Sequence, residues 1–331
     1  MGKITDARPA IVLFAYSQPG FACLDELLKM GANISAVFTH IDADDETIWF
    51  DSVYDLAKSK KLAVYRSKKI DEGAYPFFKQ AAPDIILSAY YRAIIPDEFL
   101  AVPRLGAYNL HGSLLPKYRG RACINWAVLN GERQTGVTMH VMTTKADRGD
   151  IIAQEQFPIN FTDTGHDVFL KASNAVRKII REYLPLIEKG TVPHRAQDET
   201  QATKFGRRRP EDGIINWHDS AIKIYNLIRS VTHPFPGAFT FWAGQKVFIW
   251  QALPLDDAEF WQKYHDGQVN GMSQLPAGTV YREAGAVIVK CGKGFLVLQK
   301  ISLPDGKDSD PADKGFGSLF QNGECFSVNR V

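Results

Sequence analysis

Hydrophobic runs separated by short polar turns divide the first half of the chain into strands and helices. Residues 10–16 (AIVLFAY) show little polar alternation, which is typical of a strand buried on both faces of a parallel sheet. Similar runs predict further strands at 33–40, 63–66, 83–91, 106–112 and 137–142, and polar-faced segments predict helices near 17–31, 52–62, 95–100 and 165–190. Because strands and helices alternate, the pattern predicts an α/β fold with a doubly wound, Rossmann-like parallel sheet.

The second half of the chain has a different pattern. Residues 191–216 are polar and rich in Gln, Thr and Arg, which predicts a linker lying over the first domain, and residues 220–231 predict a helix. Five short β-like runs follow, separated by Gly and Pro, and they predict a small β-barrel: AFTFWA, KVFIWQAL, AGTVYR, AVIVKC and GFLVLQKI. Residues 256–277 are interpreted as an inserted loop, and the segment beyond about residue 304 as a loosely ordered tail.

Length and charge exclude several classes of protein. With 331 residues the chain is long for one hydrophobic core, so we expect two domains. The 39 basic and 37 acidic residues nearly cancel, which is not typical of a protein whose main partner is a nucleic acid or an anionic membrane.

No run of about 18 apolar residues occurs, and the N-terminal stretch lacks the apolar core of a signal peptide, so a cytoplasmic location is expected. The four cysteines form no CxxC pair and predict buried, reduced thiols.

Two common nucleotide-binding motifs are missing. The first strand-to-helix turn reads YSQPGFA, not GxGxxG, and no GxxxxGK[ST] occurs. A nucleotide-linked ligand would therefore have to be held in another way.

The stretch NLHGSLLPKYRGR carries polar residues that a buried strand does not need. Asn109 and His111 are two apart, so on a strand they project from the same face. Asp147 lies in a tight ADRGD loop after the next strand, and an Asp beside a His raises the pKa of the imidazole. A cationic His beside an Asn amide offers two donors that stabilise an oxyanion and then protonate a leaving nitrogen. The alternatives are a structural histidine and a plain turn.

Other chemistries are not indicated by this stretch. HGSLLP is not the GxSxG of a serine nucleophile, and one His with distant acids lacks metal-ligand spacing, so no metal is expected.

Several long motifs occur in both halves of the chain: NLHGSLLPKYRGRACINWAVLNGE, TGVTMH, ADRGDIIAQ, FGRRRPEDGIINW (205–217) and HPFPGAF (233–239). Together they resemble the motifs of the folate-dependent formyltransferases. The resemblance implies direct transfer of a formyl group from N10-formyltetrahydrofolate to an amine, with Asn109, His111 and Asp147 as the catalytic residues. It also implies a catalytic, formyl-folate-binding domain over residues 1–195, a linker over 196–216 and an OB-like barrel domain over 217–331.

The same resemblance implies a binding site for the formyl donor, on two loops and one arginine. The alternative for these residues is ordinary loop packing. The implied residues are Ala93, Ile94, Ile95, Arg121, Thr143, Thr144, Lys145 and Ala146.

Two branches of the resembled family differ in the amine that they formylate. The branch that acts on methionyl-initiator tRNA has a basic insertion after the second strand. Here that position reads THIDADDETIWFDS and is acidic, which opposes binding of tRNA phosphates; a plain solvated loop is the alternative. The one dense cationic cluster, RRR at 207–209, either contacts an anion or ties the linker down. The acidic residues are Asp42, Asp44, Asp45 and Glu46.

The other branch formylates an amino sugar on a nucleotide carrier. FAY, VFTH, SAYYR and NLHGSLLPKYRGRA followed by NW resemble the domain that formylates UDP-4-amino-4-deoxy-L-arabinose in lipid A modification, a lipopolysaccharide change linked to antibiotic resistance. Lys117, Arg119 and Arg121 would then face the diphosphate, unless they form structural ion pairs. Cys123 stands where a Pro is usual.

The resemblance sets the remaining expectations. The bifunctional enzymes of this branch carry a second, NAD-dependent half that these residues lack, so we expect either a stand-alone transferase or a domain of a longer protein. The expected partners are a nucleotide-linked amino sugar, with neither tRNA nor a membrane, in a monomer or homodimer. An inactive folate- or nucleotide-sugar-binding module is the third alternative.

Overall fold

A computed structural model describes residues 8–43, 47–256, 274–283, 285–302, 308–309, 320–321 and 323–328. The chain divides into two compact units. The first consists of Met1–Ile124, Arg133–Ile159 and Asp167–Arg207, and the second consists of Asn125–Glu132, Asn160–His166 and Arg208–Val331.

A seven-stranded sheet forms the centre of the first unit, in the order β3-β2-β1-β4-β5-β7-β8. The strands from β3 to β5 are parallel to one another, whereas β7 is antiparallel to both β5 and β8. Their bounds are β1 (Ile11–Ala15), β2 (Ile34–His40), β3 (Val64–Ser67), β4 (Ile85–Ala89), β5 (Ala107–His111), β7 (Gln134–Val141) and β8 (Ile151–Pro158). The predicted α/β class, with a mostly parallel sheet followed by a small β domain, is confirmed.

Helices accompany the strands. Their bounds are α1 (Ser17–Lys29), α2 (Val53–Ser59), α3 (Ala74–Gln80), α4 (Asp97–Leu100), α5 (Cys123–Leu129) and α6 (Gly165–Glu188). Helix α1 ends where predicted, because Gly31 takes a φ of +62° that favours glycine. Helices α3 and α5 and strand β8 were not predicted: each helix has seven residues, about two turns, which is too short to show a clear helical period, and only the first half of β8 is buried.

Aromatic side chains fill one face of the parallel sheet. Phe14 on β1 and Phe38 on β2 stack with ring centroids 4.4 Å apart, and Phe78 and Phe99 pack beside them, all with at most 1% of their surface exposed. Burying a side chain of this size contributes about 2–3 kcal/mol. This packing fixes the strand ends from which the loops of the site begin.

The second unit contains helix α7 (Ala221–Val231) and an antiparallel sheet in the order β10-β11-β14-β13-β12. Its strands are β10 (Ala238–Trp242), β11 (Gln245–Leu255), β12 (Val280–Glu283), β13 (Ala286–Lys290), β14 (Phe295–Ser302) and the short β15 (Asp308–Ser309), which pairs with β14. The five runs predicted as strands all form strands.

The end of the chain closes this sheet. Ser327 pairs with Phe241 on β10, and Cys325 pairs with Thr279 immediately before β12, so the segment 323–328 connects the two edge strands. Phe326, in the same segment, is 4% exposed, and Phe320 is fully buried. The prediction of a loosely ordered tail is therefore wrong for residues 320–321 and 323–328, because their apolar side chains complete the core of the barrel.

Two further expectations have mixed outcomes. All four cysteines are free thiols; Cys23, Cys123 and Cys291 are buried as predicted, but Cys325 is exposed. Most of the predicted insertion, residues 257–273, lies outside the described residues. In the part of the chain that the structure describes, no helix is both long and apolar enough to cross a membrane.

Candidate active site

Adjacent antiparallel strands bring four polar side chains to one face of the sheet. On β5, Asn109 and His111 are two residues apart and project from the same face, as predicted. On β7, His140 lies directly opposite Asn109, and Thr138 lies opposite His111. Side chains that are directly opposite across such a pair share a face. A site lined by Asn109, His111 and His140 therefore follows from the register of these two strands.

Asp147 reaches this face from the loop after β7. Its Oδ1 lies 3.4 Å from Nδ1 of His111 and 3.7 Å from Nε2 of His140. Its Oδ2 accepts a hydrogen bond of 2.9 Å from the backbone N–H of Gly120. Asp147 has a φ of +60°, which is uncommon for a residue other than glycine. The structure thus places the predicted trio of Asn109, His111 and Asp147 around one point, with His140 between Asn109 and Asp147.

His111 is buried, with 7% of its surface exposed, and both of its ring nitrogens have partners. Nε2 donates to the carbonyl oxygen of Tyr118 at 2.8 Å, and the sulfur of Cys123 lies 3.3 Å from the same nitrogen. Burial alone would lower the pKa of His111, but the neighbouring Cys123 sulfur, the charge of Asp147 and the Tyr118 carbonyl raise it to about 10. His111 is therefore an imidazolium at neutral pH.

The contact with Tyr118 decides which proton His111 can release. A carbonyl oxygen only accepts, so Nε2 keeps its proton in the charged and the neutral ring alike. The proton that is lost on titration must be the one on Nδ1, which faces Asp147.

His140 is the neutral counterpart of His111. Burial and the charge of His111 lower its pKa to about 4. Its Nδ1 donates to the carbonyl of Val141 at 2.8 Å, so Nε2 carries a lone pair and accepts from Nδ2 of Asn109 at 3.1 Å. The 3.7 Å approach of Nε2 to Asp147 is consequently not an ion pair at neutral pH. His140 fixes the Asn109 amide, and the second N–H of this amide has no partner among the described residues.

Sequence reasoning missed His140 as a member of the site. The run VTMHVM was assigned to a strand, but the face of His140 relative to Asn109 depends on which strand lies beside it and in which direction. A period-two pattern identifies the two faces without saying which one carries the site.

The residues predicted to bind the formyl donor are those of two loops, 93–95 and 143–146, together with Arg121. Residues 143–146 are exposed, as is Ile94 with 79% of its surface, whereas Ile95 is 4% exposed and belongs to the hydrophobic core. Nη2 of Arg121 donates to the carbonyl of Arg92, which joins the loop of residues 93–95 to the stretch after His111. Ile95 is therefore placed as a core residue, while the others remain accessible.

Arg119 does not face a diphosphate. It is 4% exposed and donates to both carboxylate oxygens of Glu199 at 2.8 and 2.7 Å. The alternative of a structural ion pair is correct for this residue, because its charge is already neutralised. Lys117 and Arg121 are exposed.

The predicted acidic loop begins beside a small cavity of about 20 Å³ at the carboxyl ends of β1 and β2. Asp42 accepts 2.8 Å hydrogen bonds there from the Tyr16 hydroxyl and from Arg66, so its charge is paired. Asp44, Asp45 and Glu46 lie outside the described residues.

The cationic cluster at 207–209 is partly tied down. The guanidinium of Arg208 donates to the carbonyl of Asp212 at 2.8 Å and lies over the ring of Trp126, which supports a structural role for this arginine. Among the described residues, no group of three or more His, Cys, Asp or Glu side chains could hold a metal ion.

Two family models match the chain. The model described as "Formyl transferase" matches residues 20–184, and the model described as "Formyl transferase, C-terminal domain" matches residues 208–316. The first match contains every residue of the candidate site, and together the two models cover most of the chain.

Solved structures share the fold at low identity. A sugar 3N-formyl transferase, WlaRD, determined in the presence of dTDP and 5-N-formyl-THF, has 17% identity and a TM-score of 0.63, with 91% of this chain and 100% of that chain covered. The N-formyltransferase from Helicobacter canadensis, in complex with folinic acid and dTDP-3-aminofucose, has 18% identity and a TM-score of 0.63, covering 92% and 100%. Methionyl-tRNA formyltransferase from Clostridium thermocellum has 19% identity and a TM-score of 0.52, covering 75% and 93%.

Proposed function

Because this chain belongs to the formyl transferase family and is a formyl-transferring enzyme, we propose that it formylates the amine of a nucleotide-linked amino sugar. The donor is N10-formyltetrahydrofolate, and the acceptor is UDP-4-amino-4-deoxy-L-arabinose. The chemistry rests on one observation: the imidazolium of His111 and the amide of Asn109 share a face with Asp147, which, beside Cys123, helps to raise the pKa of His111.

The attack of an amine on a formyl carbon creates negative charge on the formyl oxygen. Asn109 meets this charge with the N–H that His140 leaves available, and His111 meets it with a positive ring. Donors that are already oriented need no reorganisation as the charge develops, and removing one such donor typically costs about 10²–10³ in rate. His140 contributes by remaining neutral and orienting Asn109.

The leaving nitrogen must then receive a proton, and the attacking nitrogen must lose one, which returns His111 to its charged form after the transfer. His111 delivers the first of these protons from Nδ1, because the Tyr118 carbonyl retains the proton on Nε2. The carboxylate of Asp147 stabilises the imidazolium until this step, with Oδ1 toward His111 and Oδ2 accepting from the Gly120 N–H. General acid catalysis of this kind contributes about 10²–10⁴ in rate.

Features next to the trio fit a folate-like donor. The hydroxyl of Tyr90 is buried without a hydrogen-bond partner among the described residues, and it lies so close to Gly112 that a Cβ there would be 2.2 Å from it. Ile94 presents an apolar side chain in the loop after β4, and residues 143–146 are exposed. Arg121, Thr143, Thr144, Lys145 and Ala146 would hold the donor with Ala93 and Ile94; Ile95, being buried, would support their loop.

The choice of a nucleotide sugar rests on the sequence and on the charge of one loop. The motifs FAY, VFTH and SAYYR resemble the arabinose branch, and the loop after β2 lacks the cations that tRNA phosphates require. Two proteins of similar fold were determined with dTDP or a dTDP-amino sugar, which supports a nucleotide-linked acceptor.

A parallel formyl-transfer assay tests this proposal. The donor is N10-formyltetrahydrofolate, and the acceptors are UDP-4-amino-4-deoxy-L-arabinose, dTDP-3-aminofucose and methionyl-initiator tRNA. We expect turnover on the UDP sugar, with His111→Ala abolishing turnover while calorimetry still detects donor binding.

Each other result has a definite meaning. Turnover on the dTDP sugar alone would keep the reaction and overturn the named acceptor. Turnover on tRNA alone, with an affinity that falls steeply with salt, would overturn the sugar proposal.

A further inference from the structure

The loop that carries Asp147 is held by Gln197, a residue of the predicted linker over 196–216. The half-buried Gln197 uses its side-chain nitrogen twice, donating to the carbonyl oxygen of Asp147 at 2.9 Å and to that of Gly149 at 2.8 Å. A primary amide has two N–H groups on this nitrogen, and both are used. The backbone of the loop is thereby tied to a segment some 50 residues away along the chain.

Arg119 sets the orientation of this amide. Its Nε and Nη2 donate to Oε1 of Gln197 at 3.2 and 2.7 Å, and Glu199 holds the rest of the guanidinium. A guanidinium has donors only, so the oxygen of Gln197 must face Arg119 and the nitrogen must face the loop. Since Arg119 is 4% exposed, this orientation is buried and fixed.

The loop needs such support because its backbone is strained. Asp147 has a φ of +60°, in the left-handed region that residues other than glycine seldom adopt. At Gly149 a Cβ would lie 2.0 Å from the carbonyl oxygen of Val141, so the chain turns in minimal space. Strained backbone persists only where its surroundings hold it in place.

We propose that Gln197 is a positioning residue for formyl transfer, holding Asp147 at His111 through the loop backbone, an inference that rests on the proposed function. The hydrogen bond from Gly120 fixes the carboxylate, and Gln197 fixes the peptide units beside it. Catalytic groups need placement within about 0.5 Å, and a 1 Å error costs up to about 10²-fold in rate.

The segment that carries Gln197 does not depend on these two hydrogen bonds for its own position. Strand β6 (Arg119–Gly120) pairs with β9 (Lys204–Phe205), and Arg119 N–H donates to the carbonyl of Thr203 at 2.9 Å. The Thr203 hydroxyl also accepts from the N–H of Tyr118. Loss of the two donations from Gln197 therefore releases the loop without releasing the linker.

Gln197→Glu tests the proposal, because it keeps the shape and the acceptor for Arg119 but removes both donors. We expect kcat to fall about 10- to 100-fold. We also expect the alkaline limb of the pH–kcat profile to move to lower pH, since Asp147 no longer supports the charge of His111. Gln197→Ala is the second variant, and circular dichroism confirms folding of both.

Gln201→Glu is the matched control. Gln201 lies in the same segment, and its amide donates to Asp198, outside the catalytic loop. We expect its kcat and pH profile to match the wild type. Unchanged kcat in both Gln197 variants, a loss without movement of the pH profile, or an equal loss in Gln201→Glu would each overturn the inference. An inactive wild-type chain would instead overturn the proposed function.

Discussion

The buried end of the candidate site and its exposed rim hold their side chains in different ways. At the buried end, Asn109, His111 and Asp147 each contact another polar group of the site or a backbone group at a defined atom. At the rim, Ile94 is 79% exposed, and the hydroxyl of Thr143 donates within its own loop, to the carbonyl of Lys145.

This difference separates catalysis from binding. Charge that develops during a reaction is stabilised best by donors that do not have to move, which the fold provides at the buried end. A ligand can order exposed side chains as it binds, at a cost in conformational entropy that weakens affinity and leaves the chemical step unchanged. We therefore expect changes at the buried end to alter kcat and changes at the rim to alter KM.

The largest expected effect follows from removing the charge of Asp147. Asp147→Asn keeps the acceptor for the Gly120 N–H but withdraws a negative charge that, beside the Cys123 sulfur, helps to keep His111 protonated. We expect kcat to fall about 10²–10⁴-fold, with the alkaline limb of the pH profile moving to lower pH because the pKa of His111 falls. Steady-state rates from pH 6 to 10 measure both.

Asp150→Asn is the control for this variant, since Asp150 lies in the same loop with 48% of its side chain exposed. Activity of Asp147→Asn within about threefold of the wild type would show that His111 does not need this charge, and would remove the distinction between buried end and rim.

The second effect compares the two buried histidines. The folded-state pKa of His140 is about 4, below the ordinary value of 6.5, so the unfolded chain binds this proton at higher pH than the folded chain does. The stabilisation from neutral His140 is therefore present above pH 6.5 and lost as the pH falls toward 4, by on the order of 3 kcal/mol. For His111 the sign is opposite: its stabilisation is complete below pH 6.5 and lost as the pH rises toward 10.

Denaturant unfolding of the wild type and of His140→Gln between pH 4 and 8 measures this difference. We expect a shallower loss of unfolding free energy below pH 6.5 in the variant, while carboxylates titrate alike in both chains. Equal slopes would mean that folding leaves the pKa of His140 near 6.5, so that burial does not hold this ring in its neutral form.

The two regions also differed in how far the sequence could predict them. The spacing of Asn109 and His111 placed both on one face, because alternation along a strand is a local property. His140 and Gln197 were missed, because their roles depend on the antiparallel direction of β7 and on the return of residues 197–205 to β6. Arg119 shows the same limit: an arginine in a cationic run is a ligand or a structural ion pair according to its distant neighbour Glu199.

The smallest expected effect lies at the rim. Arg121 is exposed, and its guanidinium donates to the carbonyl of Arg92, so Arg121→Ala removes a cation and a tie between loops without touching the trio. We expect KM for N10-formyltetrahydrofolate to rise about tenfold, the loss expected for one hydrogen bond to a charged group, with kcat within about twofold of the wild type.

Lys117→Ala is the matched control, because Lys117 is an exposed cation of the same stretch outside the predicted donor site. A higher KM for the sugar in that control, with the donor KM unchanged, would assign Lys117 to the diphosphate. A fall in kcat with unchanged KM in Arg121→Ala would place Arg121 with the catalytic groups and move the boundary between rim and buried end.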